Sequence, residues 1–508
     1  MKNVETFFIK KIQSIEAILA FLCYDFREQT QLRQAYDTRM HEEVIVVPTA
    51  LAEEGQTSLR TKISIILTLA LPAMTEQILQ ALVGFVDILF VSRLGSVEVA
   101  AAGVANAFMS VYMAVSLAMG VSASSLITRS IGAGDYERAR GIARQSIFLA
   151  VLLGILFGII TFLFAEPLLQ LMGAEPTVLK DGAAYFRIVG IPTIFMSIMI
   201  IAGSIIRASG DTKTPMKVSL WVNLIHIPFD YVFIYGIGQF AGLGVAGAAC
   251  ATVLARAIGS VALLYSLKKS DLAIFSKHPN DHPYTKSPFT VPILKLSTPV
   301  MIERLLMRFG VILYYSLIIN IGTNAYAAHM IASNMEMMVV LAGVGFEVAT
   351  SILVGQLVGA KRFSESRSYA FLNMGLATCL MTIVGILLFV LAPLIASFFT
   401  TDPVIANMVV IALRFMAAYQ PGLALLLILT SSLQGSGDTK TPMYSTFIGM
   451  WLVRMACIYL LGIHMGWGIT GVWLGITLDV YVRALFLFFR FHSRFRKMTM
   501  AEVKGIPA

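Results

Sequence analysis

The chain has 508 residues, 57% of them hydrophobic and only 13% charged, with a net charge of +9 and a mean hydropathy of +0.79. A soluble domain carries roughly twice that charged fraction, so composition excludes one and places the chain in a bilayer. The positive balance then belongs to loops and headgroups at one membrane surface, with no nucleic-acid partner expected.

Residues 1–61 are expected to be a cytoplasmic extension. Phe8, Ile12, Ile15, Leu19 and Leu22 recur at three and four, with Lys10, Lys11 and Glu16 between them. That pattern predicts an amphipathic helix on the membrane surface, too interrupted to cross, since crossing takes about 20 apolar residues. Spans are predicted near 62–92, 104–130, 143–170, 183–207, 215–237 and 246–267. A second set falls near 293–320, 328–357, 369–396, 406–432, 442–463 and 470–490. The expected organisation is a first lobe over 62–268, a linker over 269–292, a second lobe over 293–491 and a cytoplasmic tail over 492–508. Cys23, Cys250, Cys379 and Cys457 are scattered without metal-ligand spacing and read as small buried residues.

Lys and Arg gather on one side of these spans: Arg129, Arg138, Arg140, Arg144, Arg207, Lys213, Lys217, Lys268 and Lys269 in the first half, with Lys361, Arg362, Lys440 and Arg494 in the second. The other side receives Arg93, Lys180 and little else. The bias predicts an inner-membrane protein with both termini in the cytoplasm.

The chain also repeats itself. Residues Ser209–Met216 and Ser436–Met443 both read SGDTKTPM, an offset of 227 between Asp211 and Asp438. The same offset pairs Pro72 with Pro299, Glu76 with Glu303, Gly95 with Gly322 and Gly132 with Gly359. Two copies of one architecture follow. Each has six helices beginning inside, so the repeats are parallel, related by an axis along the membrane normal. The predicted fold class is an all-α membrane protein of twelve transmembrane helices in two six-helix bundles. The copied octapeptide reads locally as a helix–helix connection, with Asp and Thr capping and Pro in the first turn.

Two glycine motifs, Gly242-Leu243-Gly244-Val245-Ala246-Gly247 and Gly466-Trp467-Gly468-Ile469-Thr470-Gly471, match a dinucleotide fingerprint in letters only. Neither follows a strand in a βαβ unit, and close helix packing explains them. No GxxxxGK[ST], HExxH or GxSxG is present, so neither direct ATP drive nor an enzyme is expected, and no cofactor.

Acids inside apolar helices carry the functional signal, because a charge at membrane depth costs at least ~2.5–3.5 kcal/mol. Glu76, Gln80 and Asp87 form a stripe on the first span; Asn223, His226 and Asp230 share a face of the fifth. Asp87 and Asp230 both fall in the outer half of the membrane, where they can meet. Under the offset of 227, Asp87 corresponds to Tyr314, Asn223 to Met450, His226 to Val453 and Asp230 to Cys457. The scaffold is duplicated and this cluster is not, which points to a cation-coupling site at Asp87, Asn223, His226 and Asp230 in one lobe. A substrate cavity or second ion site is expected among Glu76, Gln80, Glu303, Tyr314, Glu336 and Glu347. Arg304, Arg308, Arg414 and Arg454 are the cations available to neutralise the second-lobe acids, and Asp479 with Arg483 reads as an i,i+4 pair.

Pro72-xxx-Glu76, Val86-Asp87, Arg93-Leu94-Gly95, Ile131-Gly132-Ala133-Gly134 and Arg207-Ala208-Ser209-Gly210-Asp211-Thr212-Lys213 together resemble the multidrug and toxic compound extrusion (MATE) transporters. The resemblance runs from about residue 62 to 492 and implies a monomeric antiporter that exports cationic amphipathic small molecules in exchange for H⁺ or Na⁺. It also implies that Asp87 and Asp230 form the first-lobe cation site, with Na⁺ one of the ions it would take. His226 stands where members more often carry Asn. A lipid-linked precursor flippase of the same superfamily is the alternative, and it implies a strongly cationic cavity; the acids predict an anionic one.

Overall fold

The computed structural model describes residues 58–171, 175–238, 240–270, 272 and 287–504. The surface helix expected near the N-terminus lies outside them. Helix α1 (Leu59–Ser92) starts at Ser58, whose hydroxyl accepts the Thr61 N–H. It is followed by α2 (Ser96–Gly132), α3 (Tyr136–Leu171), α4 (Pro176–Gly190), α5 (Thr193–Ala208), α6 (Lys213–Tyr235) and α7 (Val245–Lys269). The second set is α8 (Thr290–Ile321), α9 (Thr323–Gly359), α10 (Phe363–Phe399), α11 (Pro403–Gly435), α12 (Lys440–His464) and α13 (Ile469–Lys504).

Ten of these helices are long and apolar enough to cross a membrane. An eleventh crossing is α4 with α5, which is not the single rod expected over 183–207. Its two parts bend by 47° at Pro192, which has no N–H to continue the ladder. Helix α8 is not among these: it has 32 residues and carries Lys295, Glu303, Arg304 and Arg308 along its length. Helix α13 runs on to Lys504, well past the expected end near 490, because its last turns pack on α10 instead of ending at the surface. There the Glu502 carboxylate accepts the Ser364 N–H at 2.8 Å.

Both octapeptides fold as capped connections. Asp211 accepts the Thr214 N–H at 2.8 Å and Asp438 the Thr441 N–H at 3.1 Å. Gly210 and Gly437 take φ of 101° and 89°, a region open to glycine. The glycine motifs are also packing devices. A Cβ on Gly247 would lie 2.1 Å from the Phe233 carbonyl oxygen, and one on Gly471 2.5 Å from the Gly462 nitrogen.

These glycine turns reveal a register slip. In the first copy the Leu243 and Gly244 N–H groups donate to Phe233 and Ile234; in the second, Trp467 and Gly468 donate to Leu461 and Gly462. The far end of α12 therefore matches α6 at an offset of 228, one residue more than at Lys213 and Lys440, where the helices begin. The extra residue is absorbed as π-helix, over Phe447–Arg454 and Ile458–His464. Taken up in the first of these segments, it brings Arg454 opposite His226 and Ile458 opposite Asp230. The ungapped equivalences of Val453 and Cys457 are corrected accordingly.

Helix α1 packs on α6 within its own lobe and on α9 across the interface; α2 packs across on α8 and α9. On the Lys/Arg-rich side the crossing is backbone on backbone. A Cβ on Gly132 would sit 1.8 Å from the Gln356 carbonyl oxygen, and one on Gly359 2.1 Å from that of Arg129. Arg129 and Gln356 are themselves repeat partners, so the two contacts are one contact seen twice about the pseudo-axis. Ser125 donates across the same seam to the Gln434 carbonyl at 2.7 Å.

Gly132→Ala or Gly359→Ala alone is expected to destabilise the chain by about 1–3 kcal/mol, as overpacking does. The double variant should cost clearly less than the sum, because the first methyl already parts the seam. Unfolding of the four proteins in detergent checks this, and strict additivity would show that the contacts are independent.

Candidate functional site

Helix α1 presents Asp87 and α6 presents His226 and Asp230 to one point in the first lobe. His226 Nδ1 is 3.9 Å from Asp87 Oδ1 and its Nε2 is 3.6 Å from Asp230 Oδ2. One ligand atom from each residue lies within 4.8 Å of the other two. The Asp230 residue is 1% and His226 5% exposed, whereas the Asp87 side chain is 31% exposed and gives the cluster its access. Two carboxylates this close repel, and a cation between them offsets the repulsion. Asp87 Oδ1, both Asp230 oxygens and His226 Nε2 are buried without a hydrogen-bond partner among the described residues, and so is Asn223 Nδ2 one turn away. This is the concentration of unmet polar valence expected of a site that takes up an ion.

Arg256 on α7 belongs to this neighbourhood, and the sequence reading passed over it. It lies close enough to Asp87 and Tyr185 for the three to interact electrostatically, and its Nη1 is also buried and unpartnered among the described residues. The cost argument that singled out the acids applies equally to an arginine inside an apolar span.

Glu76 lies elsewhere. Arg207 at the end of α5 donates to both of its carboxylate oxygens at 3.0 Å, and Gln80 to one at 3.3 Å. Arg207 therefore serves as a partner for a buried acid rather than as a loop charge. The repeat places Gln434 opposite Arg207, and Gln434 donates to Glu303 at 3.3 Å, as does Thr446. One scaffold contact is thus an ion pair in the first lobe and a set of neutral donors in the second.

A cavity of about 280 Å³ opens between the lobes, lined among others by Glu76, Arg207, Arg304, Glu347, Ser431 and Gln434. Its two carboxylates face two guanidinium groups. The lining is formally balanced and not anionic, because Arg207 and Arg304 enter it from α5 and α8.

Two of the arginines expected to neutralise the second-lobe acids, Arg414 and Arg454, are engaged elsewhere. Arg414 lies over the Phe389 ring, 5.1 Å from its centroid. Arg454, carried by the first π segment, pairs with Asp479 at 2.6 Å and covers the Tyr314 ring at 5.3 Å. Asp479 therefore does not pair with Arg483, which donates to Thr446 at 2.7 Å. Gly449 makes room for this: a Cβ there would be 2.1 Å from Asp479 Oδ1. Glu336 accepts from the Tyr419 hydroxyl at 2.5 Å. Among the described residues neither it nor Glu347 or Glu303 forms an ion pair.

Arg207→Gln strands a buried carboxylate and should cost about 3–5 kcal/mol of stability. Glu76→Gln with Arg207→Gln should recover most of it, giving the first lobe the neutral pairing that Glu303 already has. Thermal unfolding of the single and double variants checks this; equal losses in both would show that the pair is not coupled.

Comparison with known proteins agrees with this geometry. A probable multidrug resistance protein NorM of Thermotoga maritima is 29% identical over 446 residues, covering 87% of this chain and 95% of that one. An uncharacterized transporter, YisQ of Bacillus subtilis, is 26% identical over 84% and 93% of the two chains. The fold matches crystal structures of a MATE protein in straight and in bent conformations, with TM-scores of 0.80 and 0.79 at 24% identity and coverage of 86% and 87% of this chain. They cover 97% and 96% of those chains, the bent one first. A MatE family model matches residues 72–232 and 299–460, more than half of the sequence and both repeats, and the chain belongs to that family of membrane transporters.

Proposed function

We propose that the chain is a proton-driven exporter of amphipathic organic compounds, with cationic drugs among them, working by alternating access with its termini in the cytoplasm. The observation that carries the coupling ion is His226. Sodium is a hard cation that favours oxygen ligands, and here an imidazole lies 3.9 Å from one and 3.6 Å from the other of the two carboxylates that would hold it. Imidazole is a proton acceptor in the physiological range. A proton on His226 or shared with Asp87 and Asp230 relieves their repulsion with no oxygen cage.

The substrate reading rests on the balanced cavity and on the similarity to probable multidrug resistance proteins. An ammonium group on a substrate meets Glu347, which has no ion-pair partner among the described residues. A flippase for anionic lipid precursors calls for a cationic cavity, and two acids against two arginines do not supply one. Coupling needs only that proton and substrate prefer different lobe arrangements. The membrane potential adds ~2.3 kcal/mol per charge per 100 mV.

Reconstituted in vesicles, the protein should move a fluorescent cationic dye against its gradient when a pH difference is imposed and not when a sodium difference is. Asp87→Asn and Asp230→Asn should each abolish that movement at unchanged protein content. Sodium-driven transport would overturn the ion assignment, and full activity of Asp87→Asn the site itself.

A further inference from the structure

A second feature, remote from the cleft, lies where α10 and α13 meet at the Lys/Arg-rich side. At about 1.5 Å per residue, α13 covers a hydrocarbon layer of about 30 Å in some 20 residues from Ile469. Its turns from His492 onward therefore stand at headgroup level and beyond. Between them and the first turns of α10 is a cavity of about 470 Å³ lined by Arg367, His492, Arg496, Met500, Val503 and Lys504. Three permanent cations line it, and no acid does.

The nearby carboxylates are already engaged. Glu365 binds Arg362 at 2.6 Å, Glu502 accepts from the Ser364 N–H, and Asp438 holds Arg490 at 3.2 Å and Arg494 at 3.8 Å. Arg367, Arg496 and Lys504 form no ion pair among the described residues. The groove is also apolar at its edges. Val503 is 83% exposed and Met500 46%, and Arg367 lies over the partly exposed Phe371 ring, 5.5 Å from its centroid. A soluble anion or an acidic protein would satisfy the cations and leave Phe371, Met500 and Val503 in water. A molecule with a phosphate at headgroup level and hydrocarbon beside it satisfies both sets.

We propose that this groove is a binding site for an anionic phospholipid of the adjoining leaflet, its phosphate held by Arg367 and Arg496 with Lys504 alongside. Guanidinium groups suit phosphate oxygens by their forked geometry, and basic pockets at this membrane level favour anionic headgroups.

The test is native mass spectrometry of the full chain released from micelles that contain phosphatidylglycerol or phosphatidylcholine. Wild type should retain phosphatidylglycerol, and the variant R367Q/R496Q/K504Q should bind it about a hundredfold more weakly. Phosphatidylcholine should be held weakly and alike by both. A variant stripped of three cations elsewhere on the same side, K213Q/K217Q/K440Q, should behave as wild type. The single variant R496Q, at an exposed position, serves if the triple variant melts early, and should show a partial loss. Equal retention by wild type and groove variants, equal loss in the distant variant, or equal retention of phosphatidylcholine would each overturn the proposal. Displacement of the lipid by millimolar inorganic phosphate would do so too, since it would define a free-anion site.

Discussion

A charge inside an apolar span must find a partner or act as a site, and this constraint orders the polar interior of the molecule. Glu76 has Arg207, Asp479 has Arg454, and Glu336 has the Tyr419 hydroxyl. Glu303 is met by neutral donors from Gln434 and Thr446. In the group of Asp87, His226 and Asp230, each residue has a buried atom without a hydrogen-bond partner among the described residues.

The repeat sharpens this contrast, because each site has a counterpart built on the same helices. Where the first lobe sets an imidazole beside two carboxylates, the second sets Arg454, paired to Asp479 and resting on Tyr314. Helix α1 links the two regimes. It carries Asp87 toward α6, Glu76 into the inter-lobe cavity, and a face that packs on α9 of the other lobe. A change of charge at Asp87 therefore acts on a helix already in contact with both lobes.

The duplication, the capped octapeptides and the meeting of Asp87 with Asp230 were all legible in the sequence. Each depends on spacing within one helix or on an ungapped offset. The break at Pro192 lay inside a run that is apolar enough on average to read as one span. Arg207 looked like a loop charge because it follows the α5 apolar run directly, and only the packing of α5 on its neighbours turns it toward Glu76. The slip in α12 was invisible for a different reason. A π-helical residue leaves composition and hydropathy unchanged and announces itself only where hydrogen bonds at the two helix ends disagree on register. Taken up in the first π segment, that one residue exchanges Arg454 for Val453 opposite His226.

The glycine seam bears on leakage. Carbonyl oxygens stand where Gly132 and Gly359 would carry side chains, so the barrier there is main chain, with no rotamer that can swing aside to admit a stray ion. Being the same contact on either side of a pseudo-axis, its halves part in a single rigid displacement of the lobes, with no half-open form in which one glycine has released and the other has not.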